Sequence, residues 1–251
     1  MGEQAGDERT TMPQSPEQSK QQERGNRILD VASDLLQRWG YKKTTIDDIA
    51  RQAGVAKGTI YLHWKTKEDL FLALLVREKI AEGQEVEKAL ANEPEGATLH
   101  NLYKYSVLSA LRNPLIHAIM LRNTDMLGDL INTPQMQDNF EPQMAAFNTY
   151  IAYLRDQGLI RTDIPLRIQF YMMEAIATGF LTVDEFLPPD YRLGDEVRAE
   201  LAAETIHRLF EVRQPDKQER QEATAHLKHM TNLTQEFMRK ELEHGASNRG
   251  H

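Results

Sequence analysis

The twenty residues from Thr45 to Trp64, TIDDIARQAGVAKGTIYLHW, constrain the chain more tightly than anything else in it. Ala50 is small where two helices must cross closely. Gly54, four residues on, supplies a left-handed turn that residues with a Cβ resist. Ile60, six residues further, plugs a second helix onto the first. A small residue, a glycine and an apolar plug at these spacings define a helix-turn-helix. Thr45 is placed to cap the first helix, and Asp48 three residues later completes a capping-box pattern. Ile46, Ile49, Ala50 and Ala53 form an i, i+3, i+4, i+7 stripe. Upstream, Ile28, Val31, Ala32, Leu35, Leu36 and Trp39 form another, which predicts a supporting helix ended by Gly40. Residues 24–66 are thus expected to form a three-helix head.

The rest of the chain reads as helical. A long helix is expected from Lys67 to about Leu90, ahead of Pro94. Apolar periodicity predicts further helices over 96–112, 114–131, 135–158, 166–187 and 194–213, with Asn113-Pro114, Thr133-Pro134, Gly158, Ile164-Pro165 and Pro188-Pro189 between them. No stretch alternates with period two for long enough to argue for a sheet, so the fold class is all-α. After Pro215, Ala223, Leu227, Met230, Thr234, Phe237 and Glu241 trace a rough heptad, widened by Leu233 and Leu242. Residues 214–251 are therefore expected as an extra amphipathic helix and tail, packed on its own body or reaching across to a second copy. Residues 1–23, rich in Gln, Glu, Ser and Pro, are expected as a disordered arm, within which Arg9 and Lys20, with Arg24 just beyond, carry positive charge.

From the helix through Gly40-Tyr41, Thr44-Thr45-Ile46, Ile49-Ala50, Ala53-Gly54-Val55 and Gly58-Thr59-Ile60-Tyr61 to Lys65-Thr66-Lys67-Glu68-Asp69-Leu70, the chain resembles the tetracycline-repressor (TetR) family. The likeness covers roughly residues 24–75. Ala56 departs from it, since the family usually places Ser or Thr there to cap the recognition helix. Trp64 stands where Phe is commoner, with little consequence, since both are large apolar plugs.

A recognition helix turns alternate faces in and out. Ile60 and Trp64 are expected to point inward, leaving Lys57, Thr59, Tyr61 and His63 outward. Lys57 can donate to guanine O6 and N7, and Thr59 can meet a base edge or a phosphate. Gly58 lets the backbone approach the duplex. Tyr61 and His63 resemble family positions that bond phosphates. Lys67 and Thr45, at two helix starts, are expected to hold phosphate with side chain or backbone amide. The net charge of -8 divides in accord with this: Arg24 to Arg77 hold ten Lys and Arg against six Asp and Glu, leaving 20 and 32 for the remainder. The head is then positive by 4 and the remainder negative by 12. Two heads related by a two-fold axis require a near-palindromic operator.

The resemblance implies a small-molecule pocket and a dimer interface in the body, residues 67–213. By side-chain type, His117, Met120, Asn123, Phe147, Tyr150, Met172 and Met173 are candidates to line the pocket, with Met126, Met136, Met144 and Glu174 beside them; the same stripe also suits plain core. The segment Pro165–Leu187 is apolar around most of its circumference. With the next helix it resembles the pair that forms the family's four-helix dimer interface. Ala175, Gly179, Leu201, Thr205 and Leu209 are the candidate contacts, the first two being small residues one turn apart.

No phosphate-binding glycine loop, nucleophile elbow or zinc-protease motif occurs, so no enzymatic activity is expected. His226 and His229 lie three apart, but no carboxylate stands with them at a recognised ligand spacing; no metal and no cofactor is expected. The absence of cysteine suits a reducing cytoplasm, and neither a signal-peptide core nor a membrane-length apolar run is present. The expected function is a homodimeric, ligand-responsive repressor of DNA with no membrane partner. An activator of the same family and a helical protein-interaction adaptor are the alternatives.

Overall fold

A computed structural model describes residues 16–134 and 140–248. The described residues are helical apart from loops and one isolated antiparallel bridge, between Ile160 and Glu211. Helices α1 (Pro16–Lys43), α2 (Ile46–Ala53) and α3 (Lys57–His63) make the head, and α4 (Lys67–Ala91) leaves it as the long connecting helix. The body comprises α5 (Leu99–Arg112), α6 (Pro114–Met120), α7 (Thr124–Leu127), α8 (Phe140–Asp156), α9 (Leu166–Thr182), α10 (Asp195–Phe210) and α11 (Lys217–Asn248). No described helix is long and apolar enough to cross a membrane.

Helix α1 begins at Pro16, so residues 16–23 of the expected arm are helical. Proline at a first helical position and a run of Glu, Gln and Lys extend a helix already nucleated by Ile28, Leu35 and Leu36. Arg9 lies outside the described residues, and Lys20 sits on the helix. At the other end Gly40 breaks the helical path with φ 74° and ψ 166°, a region only glycine enters readily. The buried Thr44 secures the break, its hydroxyl donating to the Gly40 carbonyl at 2.9 Å. Trp39, placed on the core stripe by its spacing, is 45% exposed, because the helix has finished its core contact one turn earlier, at Leu36.

The head does not close its own core. Ile28, Leu36, Ile49, Ile60, Leu70, Phe71 and Leu74 pack in one cluster with Leu115, Ala118, Leu127 and Leu130 from the body. Gly40 lies at this junction: a Cβ added to it would stand 2.7 Å from the Asp125 carbonyl oxygen. Gly40→Ala is therefore expected to lower stability by more than the roughly 1–3 kcal/mol of backbone strain alone. Urea unfolding measures it, and an unchanged midpoint would refute the account.

Where the body departs from the sequence periodicity, a side chain or a distant strand of backbone ends the helix. The expected helix over 114–131 is three pieces, α6, α7 and a 3-10 turn over Gly128–Asn132. Asn123 turns its side chain onto the Met126 amide at 3.0 Å and caps α7, which competes with continuing α6. Helix α9 stops at Thr182 because the Arg198 guanidinium takes the carbonyls of Phe180 and Leu181. Helix α10 stops at Phe210, where the bridge draws in the backbone: the Arg161 amide donates to the Phe210 carbonyl at 2.8 Å, and the Val212 amide to Leu159 at 2.9 Å. Helix α11 packs on its own body, along α8 and α4. It buries Ala223 and Leu227 there, and His226 stacks on Tyr153 with ring centroids 4.5 Å apart. The side chains of Thr234, Phe237, Glu241 and Leu242 lie outside the described residues, as does Met136.

Candidate nucleic-acid interface

Gly54 closes α2 in the left-handed conformation, φ 66° and ψ 37°, and its amide reaches back to the carbonyls of Ala50 and Arg51. Val55 donates to the Ala50 carbonyl at 3.0 Å. This turn sets the direction of α3, whose Ile60 is fully buried in the head core. Lys57, Gly58, Tyr61 and Leu62 are then exposed, and Thr59 and His63 half-buried. The start of α3 has no side-chain cap, since Ala56 has no acceptor to offer. Ala56→Ser is expected to add about 0.5–2 kcal/mol to head stability. A denaturant midpoint that does not rise would show that Ser cannot reach the α3 amides.

The expected contact residues reach the surface in different states. Lys57 Nζ pairs with Asp47 Oδ2 at 2.9 Å, and that hydrogen bond raises the ammonium above its usual range. The Thr45 hydroxyl is engaged at the start of α2, accepting from the Asp48 amide at 3.2 Å and donating to the Asp48 carboxylate at 2.6 Å. His63 packs beside Gly25 of α1 and stacks on Trp64 at 5.1 Å. Burial, and then the Arg24 charge, lower its pKa, so near neutrality it offers a phosphate an N–H rather than a cation. Lys67 is not turned outward as its position at a helix start implied. Its ammonium donates to the Tyr41 carbonyl and lies 4.2 Å from the Tyr41 ring centroid, with burial lowering its pKa. The amides at the start of α4 are not all open either. Thr66 and Asp69 form a reciprocal capping box there.

Two features of this surface escaped the sequence. Leu62 is 79% exposed on α3, an apolar side chain with no partner in its own core. The signal for it was the helical angle: one position beyond Tyr61, it lies on the side opposite the buried Ile60 stripe. Arg24, just beyond the expected arm, stands near His63 from another helix, a proximity that no local spacing shows.

The body separates the other candidates. Met120, Phe147 and Met172 pack against the main core, with Tyr150 and Met173 fully buried inside it. Phe147 lies 5.8 Å from Phe170 and 6.5 Å from Tyr150, ring centroid to centroid. The Tyr150 hydroxyl is spent on the Ala97 carbonyl at 2.9 Å. His117 Nε2 lies 3.4 Å from the Leu181 carbonyl oxygen. Asn123 is exposed and serves as the α7 cap, so it does not join this group. Met126 packs with the head instead. Tyr103, buried, donates to Glu174 at 3.0 Å; burial raises the Glu174 carboxyl and the hydrogen bond works against it. On α9 and α10, Ala175, Gly179, Leu201 and Leu209 are exposed and Thr205 half-buried. Ile168, Tyr171 and Val197, also exposed, extend this face.

The family pattern described as bacterial regulatory proteins, tetR family, matches residues 28–74. The uncharacterized HTH-type transcriptional regulator YvkB of Bacillus subtilis is 31% identical over 143 residues, covering 54% of this chain and 70% of that protein. The fatty acid metabolism regulator protein of the same organism is 42% identical over 71 residues, but these are 28% of this chain and 35% of that protein. Among solved structures, NalD, the secondary repressor of the MexAB-OprM multidrug efflux pump in Pseudomonas aeruginosa, superposes with a TM-score of 0.57 at 23% identity, covering 76% of this chain and 98% of that one. A SmeT-triclosan complex gives 0.53 at 23% identity, over 76% and 92% of the two chains. At these identities the structural likeness is one of fold.

Proposed function

The chain belongs to the tetR family of bacterial regulatory proteins, and on that premise we propose that it is a homodimeric repressor whose small, largely apolar effector releases it from a near-palindromic operator. The observation that carries this reading is the division of α3, with Ile60 buried in the head and Lys57, Gly58, Tyr61 and Leu62 exposed together. A helix presented in this way enters a major groove with its N-terminal residues at the base edges. Lys57 exchanges Asp47 for a guanine edge, Leu62 meets a thymine methyl, and Tyr61 and His63 bond phosphates.

The exposed apolar face of α9 and α10 supports the dimer, because a contiguous face of this kind is uncommon on a monomer. Repression by NalD and the triclosan complex of SmeT support the sign of regulation and the class of effector. Met120, Phe147 and Met172, which pack against the core that buries Tyr150 and Met173, are with His117 the residues we assign to the effector pocket. An effector acts by preferring the conformation whose heads no longer match the operator, and about 3 kcal/mol of preference changes DNA affinity more than a hundredfold.

Selection from a random duplex pool tests the whole reading. Enrichment of a near-palindrome with half-sites about one helical turn apart is the expected result. Enrichment of single half-sites would remove the dimer, and no enrichment at low salt would remove DNA binding.

A further inference from the structure

We propose that His100, His207 and Glu211 form a binding site for one divalent transition-metal ion of the zinc class, joining the start of α5 to the end of α10. The site is separate from the DNA-binding surface and does not depend on it. His100 Nδ1 lies 2.8 Å and His207 Nδ1 2.6 Å from the same oxygen, Glu211 Oε2. One potential ligand atom from each of the three residues lies within 4.8 Å of the other two. A carboxylate oxygen only accepts, so without metal both Nδ1 atoms must carry protons. Two N–H groups aimed at one carboxylate oxygen are what a metal ion replaces: each Nδ1 turns its lone pair to the metal, and its proton moves to Nε2 where that nitrogen is bare or leaves to solvent where it is already protonated.

The surroundings hold the set in place. The other Glu211 oxygen accepts the His100 backbone amide at 2.9 Å, and the isolated bridge to Ile160 fixes the Glu211 backbone. His100 Nε2 faces Glu95 Oε2 at 3.1 Å. A carboxylate on the far nitrogen of a ligating imidazole fixes its orientation and strengthens it as a donor. The Glu211 and His100 side chains are largely buried, whereas His207 is 41% exposed, so its ring can move and solvent can supply the remaining ligand. Bonds of about 2.0–2.1 Å in a tetrahedron place ligand atoms about 3.3 Å apart. The two rings therefore need to withdraw from Glu211 by less than about 1 Å. Two imidazoles and one carboxylate with an open position favour zinc and its neighbours over calcium or magnesium.

Chelator-stripped full-length protein, without an added tag, is titrated with Zn(II) by calorimetry and with Co(II) by visible absorption. One equivalent per chain and the absorption of tetrahedral Co(II) are expected. Glu95→Gln should weaken binding within the roughly 10–100-fold range of an outer partner. His207→Gln, at a half-exposed position that leaves the core intact, should weaken it further and abolish the zinc-induced rise in Tm. The double variant His226→Gln, His229→Gln should bind as the native chain does. The proposal is overturned if native protein takes up no stoichiometric metal, if His207→Gln binds unchanged, or if the tail variant loses the ion. In the first case the cluster is a proton-bridged clasp between two helices.

Discussion

Lys57→Ala is expected to cut operator affinity by roughly 30- to 25,000-fold. A lysine on a guanine edge discriminates by about 1–3 kcal/mol, and a two-fold dimer loses that contact twice. Lys57 is exposed and its pair with Asp47 lies in solvent, where such pairs add little, so the fold itself should be untouched. The substitution also leaves the Asp47 carboxylate facing the duplex unneutralised. Asp47→Asn in the Lys57→Ala background separates the two effects: partial recovery measures the repulsion, and what remains lost is the lysine contact. Binding measured across a salt series identifies the partner. A base contact relaxes the preference at one position of each half-site. A phosphate contact weakens all sequences alike and lowers the salt slope by about 1 for each head. If affinity, preference and slope all stay at native values, Lys57 does not touch DNA.

Gly179→Arg is expected to give a folded monomer. In the single chain nothing lies within 4 Å of a Cβ added at Gly179, so a side chain has open space to leave the helix there. Exchanging Gly for Arg in a helix interior also favours the helix by up to about 1 kcal/mol. In the proposed dimer the same position lies where two helices approach most closely. The added side chain separates them, or buries a charge without a partner at a cost of several kcal/mol. Sedimentation should therefore show a monomer at concentrations where the native chain is a dimer, with helix content by circular dichroism preserved. Operator affinity should fall by about 100- to 10,000-fold, since the second head is no longer held near its half-site. A Gly179→Arg chain that remains dimeric would move the interface off α9 and leave its exposed face in need of another partner.

The helix-turn-helix was legible because its information is local. The spacing of Ala50, Gly54 and Ile60, the cap at Thr45 and the stripe of Ile46 and Ile49 each act within a turn or two, and each appears where the spacing places it. The long α4 was legible for the same reason. Sites made by distant segments were not. Of the proposed metal site, only His207 and Glu211, four apart at a helix end, are near one another in the sequence. Their partner His100 lies 111 residues from Glu211, and no periodicity connects them.

From its sequence alone the chain determined an all-helical class, a head with one outward-facing short helix, and an uninterrupted helix linking head to body. These follow from backbone preferences and apolar spacing over fewer than about ten residues. Tertiary structure alone decided how polar groups were spent. It placed Lys67 on Tyr41 and Arg198 on the end of α9, turned Trp39 to solvent, and brought Leu115 and Leu127 into the head core. A side chain's partner is set by which backbone passes beside it, and that is a property of packing between elements. Residue type fixes only what each side chain can donate, accept or bury.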